Sequence, residues 1–327
     1  MVFLIFFLII SNLLAKMPTD SKIFVAGHNG LVGSSICRVL RENGYNNLIL
    51  KNHNELDLEN ESLVDEFFKD NKPDYVFLSA AKVGGILANN NYPVDFLTKN
   101  LRIELNVISS SYKYGVKKLL FLGSSCIYPR LCSQPIKEEY LLNGFLEPTN
   151  EWYAIAKIAG IKMCQAYNKQ YNTNFISCMP TNLYGPEDNF SLLGSHVIPG
   201  LMLRIHNAKI NNESEVVIWG TGSPRREFLY IDDLAEALFA LMNEYNSNEI
   251  INIGCGYDLT INELAHNIAA VVNYKGKLIF DSSKPDGTPQ KLLNISKIKS
   301  FGWAPKMNLI NGLEITYKWF IENIDSK

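Results

Sequence analysis

The chain has 327 residues, 47% of them apolar and 20% charged, a length that suits about two compact domains with a sizeable core and a composition that excludes a disordered or collagen-like polymer. Lys and Arg number 31 against 33 Asp and Glu, so the formal charge is −2. That balance excludes a broad basic surface for nucleic acid or acidic lipid, and any anion site must be local.

Residues 2–15 (VFLIFFLIISNLLA) are uncharged and apolar at 12 of 14 positions. They fall short of the roughly 20 residues that a spanning helix needs. No positive residue precedes them and no small-x-small cleavage site follows, which argues against a secretory signal. The stretch reads as an extension without a folding role, and Met17 as a candidate start.

The first convincing element is a buried-type strand at Lys22–Gly27, running into Gly27-His-Asn-Gly30-Leu-Val-Gly33 and a helical pattern to about Asn43. Three glycines at such a junction allow a tight turn, close approach of backbone N–H groups to a pyrophosphate, and tight packing of helix on sheet. The spacing is G-x-x-G-x-x-G, weak evidence alone; its place at the first βα junction makes it read as a dinucleotide site rather than an ordinary turn. The strand predicted at Leu48–Lys51 ends in Lys51-Asn52-His53, where an acidic residue would grip the ribose 2′-hydroxyl of NAD. A neutral or basic end favours the 2′-phosphate of NADP, unless Lys51 and His53 are ordinary solvated side chains.

Helical patterns near 60–71, 94–114 and 150–171 alternate with strands at Tyr75–Ala80, Lys118–Ser124 and Phe175–Pro180. Such alternation means βαβ units, hence an α/β fold with a Rossmann-type, doubly wound parallel sheet. Ser124 closes the fourth strand at the sheet's carboxyl end, where ligands bind in this architecture, and its hydroxyl can hydrogen-bond a carbonyl. Tyr153 and Lys157, four apart, project from one face of a helix that Asn150 can cap. The ammonium is expected to favour the phenolate and lower the phenol pKa into a useful acid–base range. Tyr-x-x-x-Lys recurs on many surface helices; the glycine turn and Ser124 give it weight here.

After Thr181 the rhythm changes to a loop-rich segment, a helix near 196–208, a strand at Val216–Trp219 and a helix from Asp233. The expected organisation is an apolar extension (1–17), an NADP-binding Rossmann domain (18–180) and a smaller C-terminal α/β substrate-binding lobe (181–327), part of which, near 228–254, returns to the sheet. Six cysteines, at 37, 126, 132, 164, 178 and 255, form no CxxC pair and sit mostly in apolar runs. They read as reduced thiols of a cytoplasmic protein, with neither a metal site nor a disulfide framework.

With these residues in view, the chain resembles the extended short-chain dehydrogenase/reductase superfamily and, within it, the GDP-L-fucose synthases, from Ile23 to Phe320. Carrying the resemblance are the glycine turn, Ala81-Lys-Val-Gly-Gly-Ile86, Leu122-Gly-Ser-Ser-Cys-Ile-Tyr-Pro129, Glu147-Pro-Thr-Asn-Glu-Trp-Tyr-Ala-Ile-Ala-Lys157, Met179-Pro-Thr-Asn-Leu-Tyr-Gly-Pro186, Ser195-His-Val-Ile-Pro199, Arg225-Arg-Glu-Phe228 and Lys284-Pro-Asp-Gly-Thr288. The resemblance implies conversion of GDP-4-keto-6-deoxy-D-mannose to GDP-L-fucose by inversion at C3 and C5 and reduction of the C4 ketone with NADPH. It implies a homodimer as well.

The same resemblance assigns residues. Ser124, Tyr153 and Lys157 serve the reduction, and Cys126 and His196 are the base and acid of the epimerisations. That role asks for a positive field beside the thiol, from a nearby imidazolium or from strand-end amides. Cofactor contacts are implied for Gly27, His28, Asn29, Gly30, Leu31, Val32, Gly33, His53, Asp57, Leu58, Leu122, Gly123, Ser124, Ser125, Lys157, Pro180, Thr181, Asn182, Leu183 and His196. Substrate contacts are implied for Arg204, Trp219, Arg226 and Asp286, an arginine fork being suited to a diphosphate. Asn29 and His53 stand where a basic residue is often found. Two rivals are an NAD-dependent 4-epimerase or 4,6-dehydratase of nucleotide sugars and a dinucleotide-sensing protein without turnover. A dehydratase carries Asp-Glu after the serine, where this chain has Ser125-Cys126, and a sensor predicts a degraded Tyr or Lys.

Overall fold

A computed structural model describes residues 16–191, 194–284 and 286–325; the apolar stretch 2–15 lies outside them. At its centre is a parallel sheet in the order β10-β5-β4-β3-β1-β2. Its strands are β1 (Ile23–Ala26), β2 (Leu48–Ile49), β3 (Tyr75–Leu78), β4 (Lys118–Leu122), β5 (Phe175–Pro180) and β10 (Ile251–Ile253). A parallel sheet covered on both faces needs strands apolar all round, and β1, β4 and β5 are buried at every position. Lys118 is tolerated in β4 because its ammonium donates to the carbonyls of Leu241 and Met242 at 3.0 and 2.8 Å, and its burial lowers its pKa to about 8.

Helices α1 (Leu31–Glu42), α2 (Glu61–Asn71), α3 (Ile86–Asn91), α4 (Pro93–Lys113) and α5 (Glu151–Tyr171) connect these strands. Asn60 caps α2, its side chain accepting from Leu63 N. Two expectations need correction. Ser124 lies two residues beyond β4, because its hydroxyl accepts from Cys126 N at 3.2 Å and turns the chain out of the sheet at Ser125–Ile127. Asn150 stands at the N-cap of α5 but does not cap it: its Nδ2 donates to Cys126 Sγ, which turns the side chain to the thiol and leaves Oδ1 buried without a partner.

Beyond β5 the chain forms β6 (Asn182–Tyr184), α6 (Val197–Ile210), β7 (Glu215–Trp219), β8 (Arg225–Arg226), β9 (Phe228–Tyr230) and α7 (Ile231–Glu244). After β10 come β11 (Leu259–Thr260), α8 (Ile261–Val272), β12 (Lys277–Asp281), β13 (Gln290–Lys291), α9 (Ser296–Ser300) and α10 (Leu309–Phe320). Thr260 and Glu263 form a reciprocal capping box at the start of α8. One hydrophobic cluster gathers the central sheet with Leu234, Leu238 and Leu241 of α7; a second gathers α6, α8 and α10 with Val216 and Ile218 of β7. Between them the buried Glu227 accepts from Gly256 N and Leu293 N at 2.7 and 3.0 Å, fastening β13 and the segment after β10 to the junction of β8 and β9. Among the described residues no helix is long and apolar enough to cross a membrane.

Candidate active site

The strand order reverses between β1 and β3, and in open α/β sheets the crevice at such a reversal, beyond the carboxyl ends of the strands, receives ligands. Gly27 sits there at φ +87°, and a Cβ on it would lie 2.8 Å from the backbone of Ala80. A Cβ on Gly33 would collide with the carbonyl oxygen of Gly27. Both glycines are therefore dictated by close approach. The first turn of α1, Leu31, Val32 and Gly33 after Gly30, has no side-chain cap and no acidic residue, so its N–H groups suit an anion. His28 Nδ1 is buried without a partner in the same turn, beside Asn29. These features fit the pyrophosphate of a dinucleotide.

Past β2, Lys51 Nζ is 3.2 Å from Glu55 Oε1 and His53 Nδ1 is 3.8 Å from Asp57 Oδ1, so each basic group already faces a carboxylate. Leu58 lends its carbonyl to Asn106 Nδ2 at 2.9 Å. Leu122 ends β4 and Gly123 follows it, with a Cβ on Gly123 reaching within 2.6 Å of Met179 Sδ, and Ser125 beyond them is buried. Pro180 ends β5. Thr181 Oγ1 and Asn182 Nδ2 both donate to Glu227 O, at 3.2 and 2.9 Å, and Leu183 follows in β6.

Ser124 and Tyr153 face each other beyond the end of β4. Burial pushes the Tyr153 phenol well above its ordinary 10, the charges of Cys126 and Glu104 add to this, and the Ser124 hydroxyl opposes it. The expected lowering by Lys157 does not occur, for a geometric reason. Lys157 Nζ is 3.3 Å from Glu104 Oε1 on α4, with both side chains buried, and lies 5.9 Å above the Tyr153 ring. Its charge is engaged elsewhere, and the phenol is held as an acid.

Cys126 Sγ accepts from Asn150 Nδ2 at 3.3 Å and from Lys291 Nζ at 3.6 Å. This corrects the expectation of an imidazolium beside the thiol: desolvation in the cleft lowers the His196 pKa, favouring neutral imidazole although its surface reaches solvent, and the cation at the sulfur is Lys291. Lys291 carries no local sequence signal. It arrives through the pairing of β13 with β8, which sets it opposite Arg226. All six cysteines are free.

His196 is the N-cap residue of α6, and Ser195 before it packs on the loop ahead of α3, where a Cβ on Gly85 would lie 2.8 Å from Ser195 O. Desolvation lowers the Arg226 pKa, opposed by Cys126, Glu147 and Asp286. Asp286 accepts from Thr221 N at 2.7 Å and Thr221 Oγ1 at 2.9 Å. Trp219 is 48% exposed, with Arg204 5.3 Å and Lys284 5.6 Å from its ring centroid, so a solvent-facing indole stands between two cations. The site thus combines an anion-binding turn, a Ser–Tyr–Lys group and a thiol held by a cation. Among the described residues no cluster of His, Cys, Asp and Glu could hold a metal ion.

Residues 23–254 match the family described as the NAD dependent epimerase/dehydratase family. The chain belongs to that family. Within it, the chain is 60% identical over 314 residues to GDP-L-fucose synthase 1 of Arabidopsis thaliana, covering 96% of this chain and 97% of that one. It is 52% identical over 316 residues to GDP-L-fucose synthase of Escherichia coli (strain K12), covering 94% and 98%. Among solved structures it is similar to a GDP-L-fucose synthetase from Naegleria fowleri bound to NADP, with a TM-score of 0.88 at 29% identity, covering 95% of this chain and 97% of the other. The family's strand–turn–helix unit is the one built here around Gly27 and Gly33.

Proposed function

We propose that this protein epimerises GDP-4-keto-6-deoxy-D-mannose at C3 and C5 and reduces its C4 ketone to give GDP-L-fucose. The observation that carries this reading is the pair of chemistries at one strand end: Ser124 facing Tyr153, and Cys126 two residues beyond Ser124, held by Lys291 and Asn150. A plain reductase has no use for the second. NADPH supplies the hydride when bound, in the cleft formed by Gly27–Gly33 and the ends of β4 and β5. Ser124 positions the C4 carbonyl and Tyr153, kept protonated, gives its proton to the C4 oxygen. Lys157 holds the cofactor ribose.

The C4 ketone acidifies the protons at C3 and C5. Cys126 as thiolate removes each, with the Lys291 ammonium offsetting the negative charge on its sulfur, and His196, taking up a proton from solvent for each turn, returns it to the opposite face; between the two inversions the Cys126 thiol gives its proton back to solvent. Arg226 and Arg204 meet the diphosphate, Trp219 covers the nucleotide, and Asp286 fixes the loop at Thr221 beside them. Residues 18–180 hold the cofactor and 181–327 the sugar nucleotide. Six free thiols support a cytoplasmic site of action. Leu105 and Tyr112 on α4 and Trp152 and Ile155 on α5 are exposed, which supports a homodimer through these two helices.

The test is a split by substitution, with solvent deuterium at C3 and C5 and NADPH oxidation read on the same ketosugar. Tyr153→Phe is expected to lower reduction by about 10²–10⁴-fold and leave deuterium incorporation intact. Cys126→Ser is expected to abolish incorporation while the protein still binds NADPH and reduces an epimerised ketosugar. Wild-type incorporation in Cys126→Ser would remove the thiol from the reaction.

A further inference from the structure

Behind the catalytic helix lies a buried charge pair whose carboxylate the reaction as described does not use. Glu104 on α4 is 1% exposed and Lys157 on α5 is 2% exposed, with Glu104 Oε1 3.3 Å from Lys157 Nζ. The ammonium also lies 4.6 Å from the centroid of the Phe121 ring on β4. The lysine head is thus held by a carboxylate and an aromatic face together. A third residue makes room for this grip: a Cβ on Gly160 would lie 2.5 Å from Phe121 Cζ and 2.8 Å from Glu104 Oε2, so only glycine lets α4, α5 and β4 meet here.

Burying two charges is costly, and a well-packed apolar pair of similar volume is commonly as stable, so stability does not explain a carboxylate at this position. Its location does. A free lysine head samples many rotamers, whereas a catalytic lysine must present its ammonium at one depth beside the phenol and the cofactor ribose. We propose that Glu104 is a positioning residue for the reduction, holding the Lys157 ammonium at the depth where it serves the nicotinamide ribose and Tyr153. The proposal rests on the reading of the site as a reductase of the C4 ketone.

A pH signature follows. Burial raises the Glu104 carboxyl pKa against the pull of Lys157, so acidification uncharges this group before an ordinary glutamate and loosens the grip. The other titratable groups facing the pair are Tyr153 and Cys164 on α5 and, against Lys157, Cys178 on β5; burial raises all three, so they stay neutral around pH 7. Glu104→Gln keeps the shape and removes the charge. The variant is expected to bind NADPH at least about fivefold more weakly by fluorescence titration, to reduce ketosugar about tenfold more slowly, and to lack the acid-side weakening of NADPH binding expected of wild type. Deuterium incorporation at C3 and C5, which does not pass through Lys157, is expected to stay within about twofold.

In a Lys157→Met background the same change is expected to add no further loss, since its effect runs through the lysine. A variant that matches wild type in NADPH affinity, reduction and pH profile overturns the proposal, and so does one that only melts earlier. If Glu104→Gln is not recovered folded, Glu104→Asp decides: slower reduction with the pH dependence kept supports positioning, and a wild-type rate overturns it. Because the titration needs no sugar substrate, a wild type that binds NADPH yet leaves the ketosugar untouched would remove the proposed function and leave the Glu104 result standing.

Discussion

Asp188 has one carboxylate oxygen accepting from Asn189 N at 2.7 Å and the other, Oδ2, buried with no partner. Burial raises its pKa to about 7. A group whose folded pKa exceeds its unfolded value lends stability that is whole below the unfolded pKa and is lost as pH rises through the folded one. Asp188→Asn is therefore expected to be more stable than wild type near pH 8, by on the order of 4 kcal/mol, with the advantage gone near pH 4. Urea unfolding at the two pH values checks this, and an equal offset at both would refute it. The residue scale is also where the sequence was most and least legible. Ser124, Tyr153 and Lys157 were readable because strand end and helix spacing put them together locally. The protonated state of Tyr153 was not, since it depends first on the burial of the phenol and then on Lys157 facing Glu104 from another helix, neither of which any spacing rule gives.

At the scale of elements, the α4–α5 pair concentrates the consequences of Gly160. Glycine in a helix interior costs about 1 kcal/mol relative to alanine, so Gly160→Ala ought to stabilise α5 by propensity. The added methyl would meet Phe121 Cζ at 2.5 Å and Glu104 Oε2 at 2.8 Å, and overpacking of that kind costs about 1–3 kcal/mol. The packing penalty is the larger, and Gly160→Ala is expected to lower the unfolding midpoint; a raised midpoint would show that β4 and α4 can yield. Elements in the first half were legible from periodicity because a parallel sheet forces apolar strands and amphipathic helices to alternate. The two-residue strands β8, β11 and β13 were not, being too short to carry any period, and with β13 went Lys291, which reaches Cys126 only through pairing with β8.

For the whole molecule, the exposed apolar side chains of α4 and α5 set the expected assembly. Leu105→Glu combined with Ile155→Glu is expected to convert the proposed homodimer to monomer by light scattering, with the far-UV spectrum unchanged because both side chains already face solvent in the single chain. Persistence of a dimer would move the interface elsewhere. The lobes interlock, as the expected return of residues near 228–254 to the sheet implies: Lys118 in β4 holds the carboxyl end of α7, and β10 completes the sheet beside β5. That last pairing makes time part of the folding problem. A chain made from its amino end releases β5 from the ribosome well before β10 exists, and for that interval an apolar strand edge is an open template for other chains. Pausing translation between Thr181 and Ile251 is accordingly the perturbation to which the yield of folded protein should be most sensitive, and a chaperone that covers strand edges is the one whose loss it should feel first.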